Sequence, residues 1–163
     1  MNVIALPQMF FERCLKKNDK IEAPWAWITI TSAKKRLLNT DEMLALFEPN
    51  LKMTLPLVFG DISAKTIKNM SDEDKSKECH TLFDKEMAES VIKFVDKVKD
   101  DGIKILVVNC EAGISRSGAI ATWTVDYLGL NYEKFRRKNP HIYPNTYVMS
   151  ILKAFSDMNP DLK

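Results

Sequence analysis

The stretch Val107-Val108-Asn109-Cys110-Glu111-Ala112-Gly113-Ile114-Ser115-Arg116-Ser117-Gly118 decides how the rest of the chain is read. Ile105 to Val108 is an apolar run of the kind found in strands covered on both faces. A cysteine follows it, then an arginine in Cys-x5-Arg spacing. Beyond the loop, Ala119, Ile120, Trp123, Tyr127 and Leu128 recur at helical intervals until Gly129. The expected order is strand, tight loop and helix N-terminus, with a thiol and a guanidinium at the two ends of the loop. That arrangement suits a phosphate dianion held against a sulfur nucleophile.

The chemistry depends on these residue types. A thiolate, not a thiol, is the nucleophile, and a free cysteine with a pKa of about 8.5 is mostly protonated at neutral pH. Inward-turned backbone N–H groups, a helix N-terminus and Arg116 all place positive potential on Cys110. Such surroundings lower a thiol pKa to roughly 3.5–7.5. Gly113 permits positive φ or a close backbone approach to phosphate. Arg116 offers a planar fork to two phosphate oxygens, which lysine does not. Ser117 is placed to donate to the sulfur. Glu111, Ala112, Gly113, Ile114, Ser115 and Arg116 form the expected phosphate cradle. Cys-x5-Arg spacing alone is weak; strand, glycine, the Ser115-Arg116-Ser117 run and the following helix together make it specific.

Composition limits the alternatives. A chain of 163 residues supports one core, so residues 1–163 are read as a single domain. A net charge of +2 gives no strong field toward nucleic acid or an anionic membrane. Met1 to Phe11 has no basic leader and meets charge at Glu12, unlike a signal peptide, and no apolar run approaches the length of a bilayer span. Cys14, Cys79 and Cys110 are sparse and unpaired in spacing, which suits a reducing cytoplasm. Two histidines and no Cys-x-x-Cys leave little for a zinc site. No metal or cofactor is expected.

Before the loop, Val3–Leu6 and Trp25–Thr31 read as strands, and 8–17 as a short helix carrying Cys14 as a small buried residue. Trp25 and Trp27 suit core packing better than base stacking, since no basic groove accompanies them. Thr40–Phe47 reads as a helix and Leu51–Phe59 as a strand, with Pro56 marking an edge or bulge. Residues 62–80 mix charges without periodicity and read as a long mobile segment with at most one short helical turn. Asp84–Lys99 is the clearest amphipathic helix, with Met87, Ala88, Val91, Ile92, Val95 and Val98 on one side. A strand from Ile103 to Val108 follows. A short basic helix at 132–138, the Pro-punctuated turn 139–145 and a last helix with Val148, Ile151, Leu152 and Phe155 complete the chain. The expected fold is α/β, with a mostly parallel central sheet of four to five strands flanked by helices.

Cys110-Glu111-Ala112-Gly113-Ile114-Ser115-Arg116-Ser117 resembles the signature loop of the cysteine-dependent protein tyrosine phosphatases, in the dual-specificity-like branch. The strand ending Leu57-Val58-Phe59-Gly60-Asp61-Ile62, the Ala88 to Phe94 helix and the Pro140 to Asn145 turn follow that branch in order, so the resemblance covers about the last two thirds of the chain. It implies a metal-free, two-step phosphomonoester hydrolysis through a phosphocysteine, with Cys110 as nucleophile. An aspartic acid protonates the leaving group and then activates water. Asp61 stands where the family places that acid, although its separation from Cys110 is long for the branch; Asp72, Asp74 and Asp84 are the rivals. The family usually has histidine before the cysteine, where this chain has Asn109, which makes hydrogen bonds but carries no positive charge.

The resemblance implies a cytoplasmic, monomeric protein tyrosine or dual-specificity phosphatase acting on a phosphoprotein or phosphopeptide, with neither membrane nor nucleic acid as partner. Phosphoinositide phosphatases of the superfamily tend to carry lysines inside the loop, where Glu111 and Ile114 stand. The alternative from a different class is a phosphate-recognising binding module with weak or no turnover, which Asn109 keeps open but which the presence of Cys110, Arg116 and Ser117 ranks below the enzyme.

Overall fold

A computed structural model of the chain describes residues 1–17, 19, 21–32, 40–75 and 81–158. Cys79, the rest of 76–80 and two positions of the loop at 18–20 lie outside them. Four strands form one parallel sheet: β1 (Asn2–Pro7), β2 (Trp25–Thr31), β3 (Leu51–Val58) and β4 (Ile105–Cys110), in the order β1-β4-β2-β3. The helices are α1 (Gln8–Lys17), α2 (Thr40–Phe47), α3 (Ala64–Asn69), α4 (Asp72–Lys75), α5 (Lys85–Asp100), α6 (Arg116–Tyr127), α7 (Tyr132–Lys138) and α8 (Thr146–Met158). No helix among the described residues is long and apolar enough to cross a membrane.

Alternation along the strands sorts the core into two layers, because successive side chains point to opposite faces. Trp25, Trp27 and Val107 pack with Phe11, Cys14 and Phe47 on one face. Ala26, Ile28, Ile30, Leu106, Val108 and Cys110 face the other layer, with Val91, Ile92 and Val95 of α5, Ile120 of α6 and Val148 and Leu152 of α8. Both tryptophans are fully buried, so they are core and not a base-stacking platform. Pro56 lies in the edge strand β3, opposite Thr29. At the other edge, Asn139 completes β1: its Oδ1 accepts from Ala5 N at 2.8 Å and its Nδ2 donates to Val3 O at 3.2 Å.

Several boundaries shift by one or two residues from the sequence expectation, and one segment differs from it. Strand β4 runs on to Cys110, because Asn109 and Cys110 continue the register with Leu6 and Pro7 of β1. Helix α5 opens one residue after Asp84, whose carboxylate caps it by accepting from Met87 N at 2.8 Å. The described part of 62–80 is not one loop but contains two short helices. Ser63 caps α3 through Thr66 N at 3.1 Å, and Ser71 caps α4 through Asp74 N at 3.1 Å. Helix α3 buries no residue. A helix without an apolar face leaves no periodic trace in a sequence.

Candidate active site

Parallel α/β sheets present their ligands at the carboxyl ends of the strands. Cys110 is the last residue of β4, an interior strand, and is 2% exposed. The loop after it curls back over the sulfur. Gly113 N donates to Sγ at 3.3 Å, and Ser117 Oγ lies 3.2 Å from Sγ. Gly113 has φ +74°, and a Cβ there would meet Pro7 N at 2.4 Å and Leu6 C at 2.6 Å. The loop is therefore seated directly on the β1–α1 backbone, a contact continued by Gln8 N donating to Glu111 O at 3.2 Å. Gly113→Ala combines a left-handed backbone with backbone overlap. It is expected to cost about 2 kcal/mol or more, read as a lower urea midpoint.

Arg116 opens α6 and is 3% exposed. Its Nη1 is committed to structure, donating to Phe59 O at 2.8 Å and Ser32 Oγ at 2.9 Å, beyond the ends of β3 and β2. Nη2 reaches Glu111 Oε2 at 3.5 Å. Nε is buried and has no hydrogen-bond acceptor among the described residues. A buried guanidinium N–H without an acceptor is costly, and the Nε–Nη2 edge is the one that bridges two oxygens of an oxyanion.

Asp61 is brought to the same loop. Its Oδ1 accepts from Ser115 Oγ at 2.7 Å and from Asn145 Nδ2 at 2.8 Å. Ser115 occupies the N-cap position of α6 without capping it, because its hydroxyl is turned to Asp61. Asn145 also donates to Ile62 O at 3.2 Å, while its Oδ1 accepts from Tyr147 N and Val148 N at the start of α8. The turn 139–145 is joined to the loop by Tyr143 N donating to Ile114 O and Asn145 N donating to Ser115 O, both at 3.1 Å. Of the rival acids, Asp84 caps α5, and Asp72 and Asp74 lie within α4.

The sequence matches no model of a known protein family and no curated protein. Its structure does match solved ones. It superposes on the active form of Tk-PTP with a TM-score of 0.54 at 15% identity, covering 95% of this chain and 90% of that one. PTPMT1, solved in complex with PI(5)P, gives 0.55 at 14% identity over 98% and 93% of the two chains. Human DUSP28 gives 0.54 at 13% identity over 99% and 95%. The fold is that of the cysteine-dependent tyrosine phosphatases. Within this phosphatase-like fold, the four parallel strands and flanking helices agree with the architecture expected from sequence.

The phosphatase-like loop gathers Cys110, Glu111, Gly113, Ser115, Arg116, Ser117 and Asp61 at one end of the sheet, with Ile114 at its outer surface. Sequence reasoning missed Asn145, Ser32, the Phe59 carbonyl and Trp27. Asn145 was visible only as a turn residue. Trp27 donates from Nε1 to Asn109 Oδ1 at 2.7 Å, a contact that nothing local to either residue announces. Cys14, the other described free cysteine, is buried beneath the aromatic layer. Burial, and next the charge of Asp19, push its thiol above the usual range, which suits packing and not nucleophilic chemistry.

Proposed function

We propose that the protein is a phosphomonoester hydrolase, a protein tyrosine or dual-specificity phosphatase working through a phosphocysteine on Cys110. One observation carries the reading: a buried cysteine sulfur, already met by Gly113 N–H and Ser117 Oγ, shares its loop with a buried arginine whose Nε lacks an acceptor among the described residues. A phosphate dianion supplies that acceptor. In the first step the sulfur attacks phosphorus, the S–P bond forms and the ester P–O bond breaks, while Asp61 gives its proton to the leaving oxygen. In the second step Asp61 takes a proton from water, which attacks phosphorus; the S–P bond breaks and Ser117 Oγ–H steadies the departing thiolate. Loop N–H groups and Arg116 carry the phosphoryl charge throughout.

The hydrogen bonds of Asp61 refine its role. Oδ1 accepts both donors, so the transferable proton belongs on Oδ2. Asp61→Ala should lower kcat by about 10²–10³-fold on esters with poor leaving groups and far less on activated aryl esters. A leaving-group dependence in Asp61→Ala identical to that of the wild type would move the role elsewhere.

The substrate is read as a phosphoprotein or phosphopeptide, met by a monomer in a reducing cytoplasm where Cys110 stays a free thiol. The test is acid quenching during turnover of an aryl phosphate in chelator, followed by mass analysis of the peptide holding Cys110. A phosphoryl adduct on Cys110 with steady phosphate release supports the hydrolase. Tight oxyanion binding with neither adduct nor release would make the chain a phosphate-recognising module instead.

A further inference from the structure

The residue before the nucleophile is tied to the opposite side of the sheet. Val107 belongs to the aromatic layer, whereas Leu106, Val108 and Cys110 belong to the other. Asn109, two residues beyond Val107, therefore faces the aromatics, and there its Oδ1 accepts the 2.7 Å bond from Trp27 Nε1. Asn109 is 1% exposed and Trp27 fully buried. A polar side chain at that depth is tolerated only when partnered.

The donor is held rigidly. The Trp27 ring stacks on Phe11 with centroids 4.6 Å apart, meets Phe47 edge-on at 6.4 Å and lies tilted against Trp25 at 5.9 Å. The acceptor lies where the backbone ladder thins out. Pairing of β4 with β2 ends at Asn109 opposite Thr29. In β1 the partner of Cys110 is Pro7, which has no N–H to give. The indole–amide bond is thus a lateral tie on the residue peptide-bonded to the nucleophile.

We propose that Trp27 and Asn109 are a positioning pair that sets the placement of Cys110 Sγ within its loop. The kinetic consequence rests on the hydrolase reading, whereas the effect on the thiol does not. The pair joins the aromatic layer to the site, so the packing of Phe11, Trp25 and Phe47 reaches the sulfur through one hydrogen bond. Neither residue touches substrate.

The test compares Trp27→Phe, Asn109→Leu and the double variant, each first checked for cooperative thermal unfolding. Two quantities are read: kcat and KM on an aryl phosphate, and the pH midpoint of Cys110 alkylation by iodoacetamide, followed at the Cys110 peptide so that Cys14 does not contribute. Each single variant leaves one buried polar group unpaired, while the double leaves neither. Either single should lower kcat by about 10- to 100-fold with KM near wild type, and should move the alkylation midpoint. The double should be no worse than the worse single. Unchanged kcat and midpoint in a folded single variant, or losses that multiply in the double, overturn the proposal. If Trp27→Phe does not fold, Asn109→Leu decides by the same two readouts. If the wild-type protein hydrolyses no ester, the alkylation midpoint alone decides, so failure of the pair and failure of the hydrolase reading are told apart.

Discussion

Cys110→Ser is expected to abolish hydrolysis of aryl and peptidyl phosphates, with a fall in kcat of about 10⁴-fold or more, while inorganic oxyanion binding stays near that of the parent. A serine oxygen keeps the shape of the site. It accepts from Gly113 N–H and approaches Ser117 as the sulfur does at 3.3 and 3.2 Å. What it loses is chemical. An alkoxide is not accessible near neutral pH without an adjacent general base, and the described contacts of Cys110 include no histidine or carboxylate to act as one. A serine also leaves poorly in the second step. Isothermal titration with inorganic phosphate or tungstate on the serine variant, beside a phosphate-release assay, separates binding from turnover. Substantial residual hydrolysis in the serine variant would place the nucleophile elsewhere.

The second large effect is expected at Arg116. Arg116→Lys keeps the charge but not the fork, and kcat/KM should fall by about 10³-fold through both kcat and KM. The arginine has two duties on different edges. Nη1 ties Ser32 and the Phe59 carbonyl together, whereas Nη2 meets Glu111 and Nε, on the same edge, has no acceptor among the described residues. A lysine ammonium satisfies one edge at most. The variant should therefore also unfold more easily, by about 1–3 kcal/mol, because the Phe59 carbonyl or Ser32 hydroxyl loses its donor. Chemical denaturation measures that part separately. Added phosphate should stabilise the wild-type protein against urea and stabilise Arg116→Lys much less.

The Cys110–Arg116 loop was legible because its signals are local. An apolar strand, a cysteine, a glycine, an arginine and a helix fall within one short window, and each has its own physical reason. Asp61 was singled out by the family resemblance rather than by a local signal, and the structure brings it to Ser115 of the loop. Strand β2 announced itself by aromatic and β-branched residues and β4 by an apolar run. The supporting contacts were not legible, because they join residues far apart in sequence. Trp27 and Asn109 are 82 positions apart, and Asn145 and Asp61 are 84 apart. Each looks ordinary alone: a core tryptophan, a turn asparagine. Helix α3 escaped for another reason, since it is held by a serine cap and buries no residue, whereas the Ser71 cap before the acids of α4 was itself a visible helix start.

Asn139 has a consequence beyond its own neighbourhood. A parallel sheet ends in two strands whose outer backbone groups are open to another chain, and β1 and β3 are those strands here. On β1, the carboxamide of Asn139 occupies Ala5 N–H and the Val3 carbonyl, as an incoming strand would. On β3, Pro56 removes one donor. One amide and one imide thus interrupt both selvedges of the sheet. Neither rim offers an unbroken template for strand addition, so the molecule carries its own guard against polymerising edge to edge.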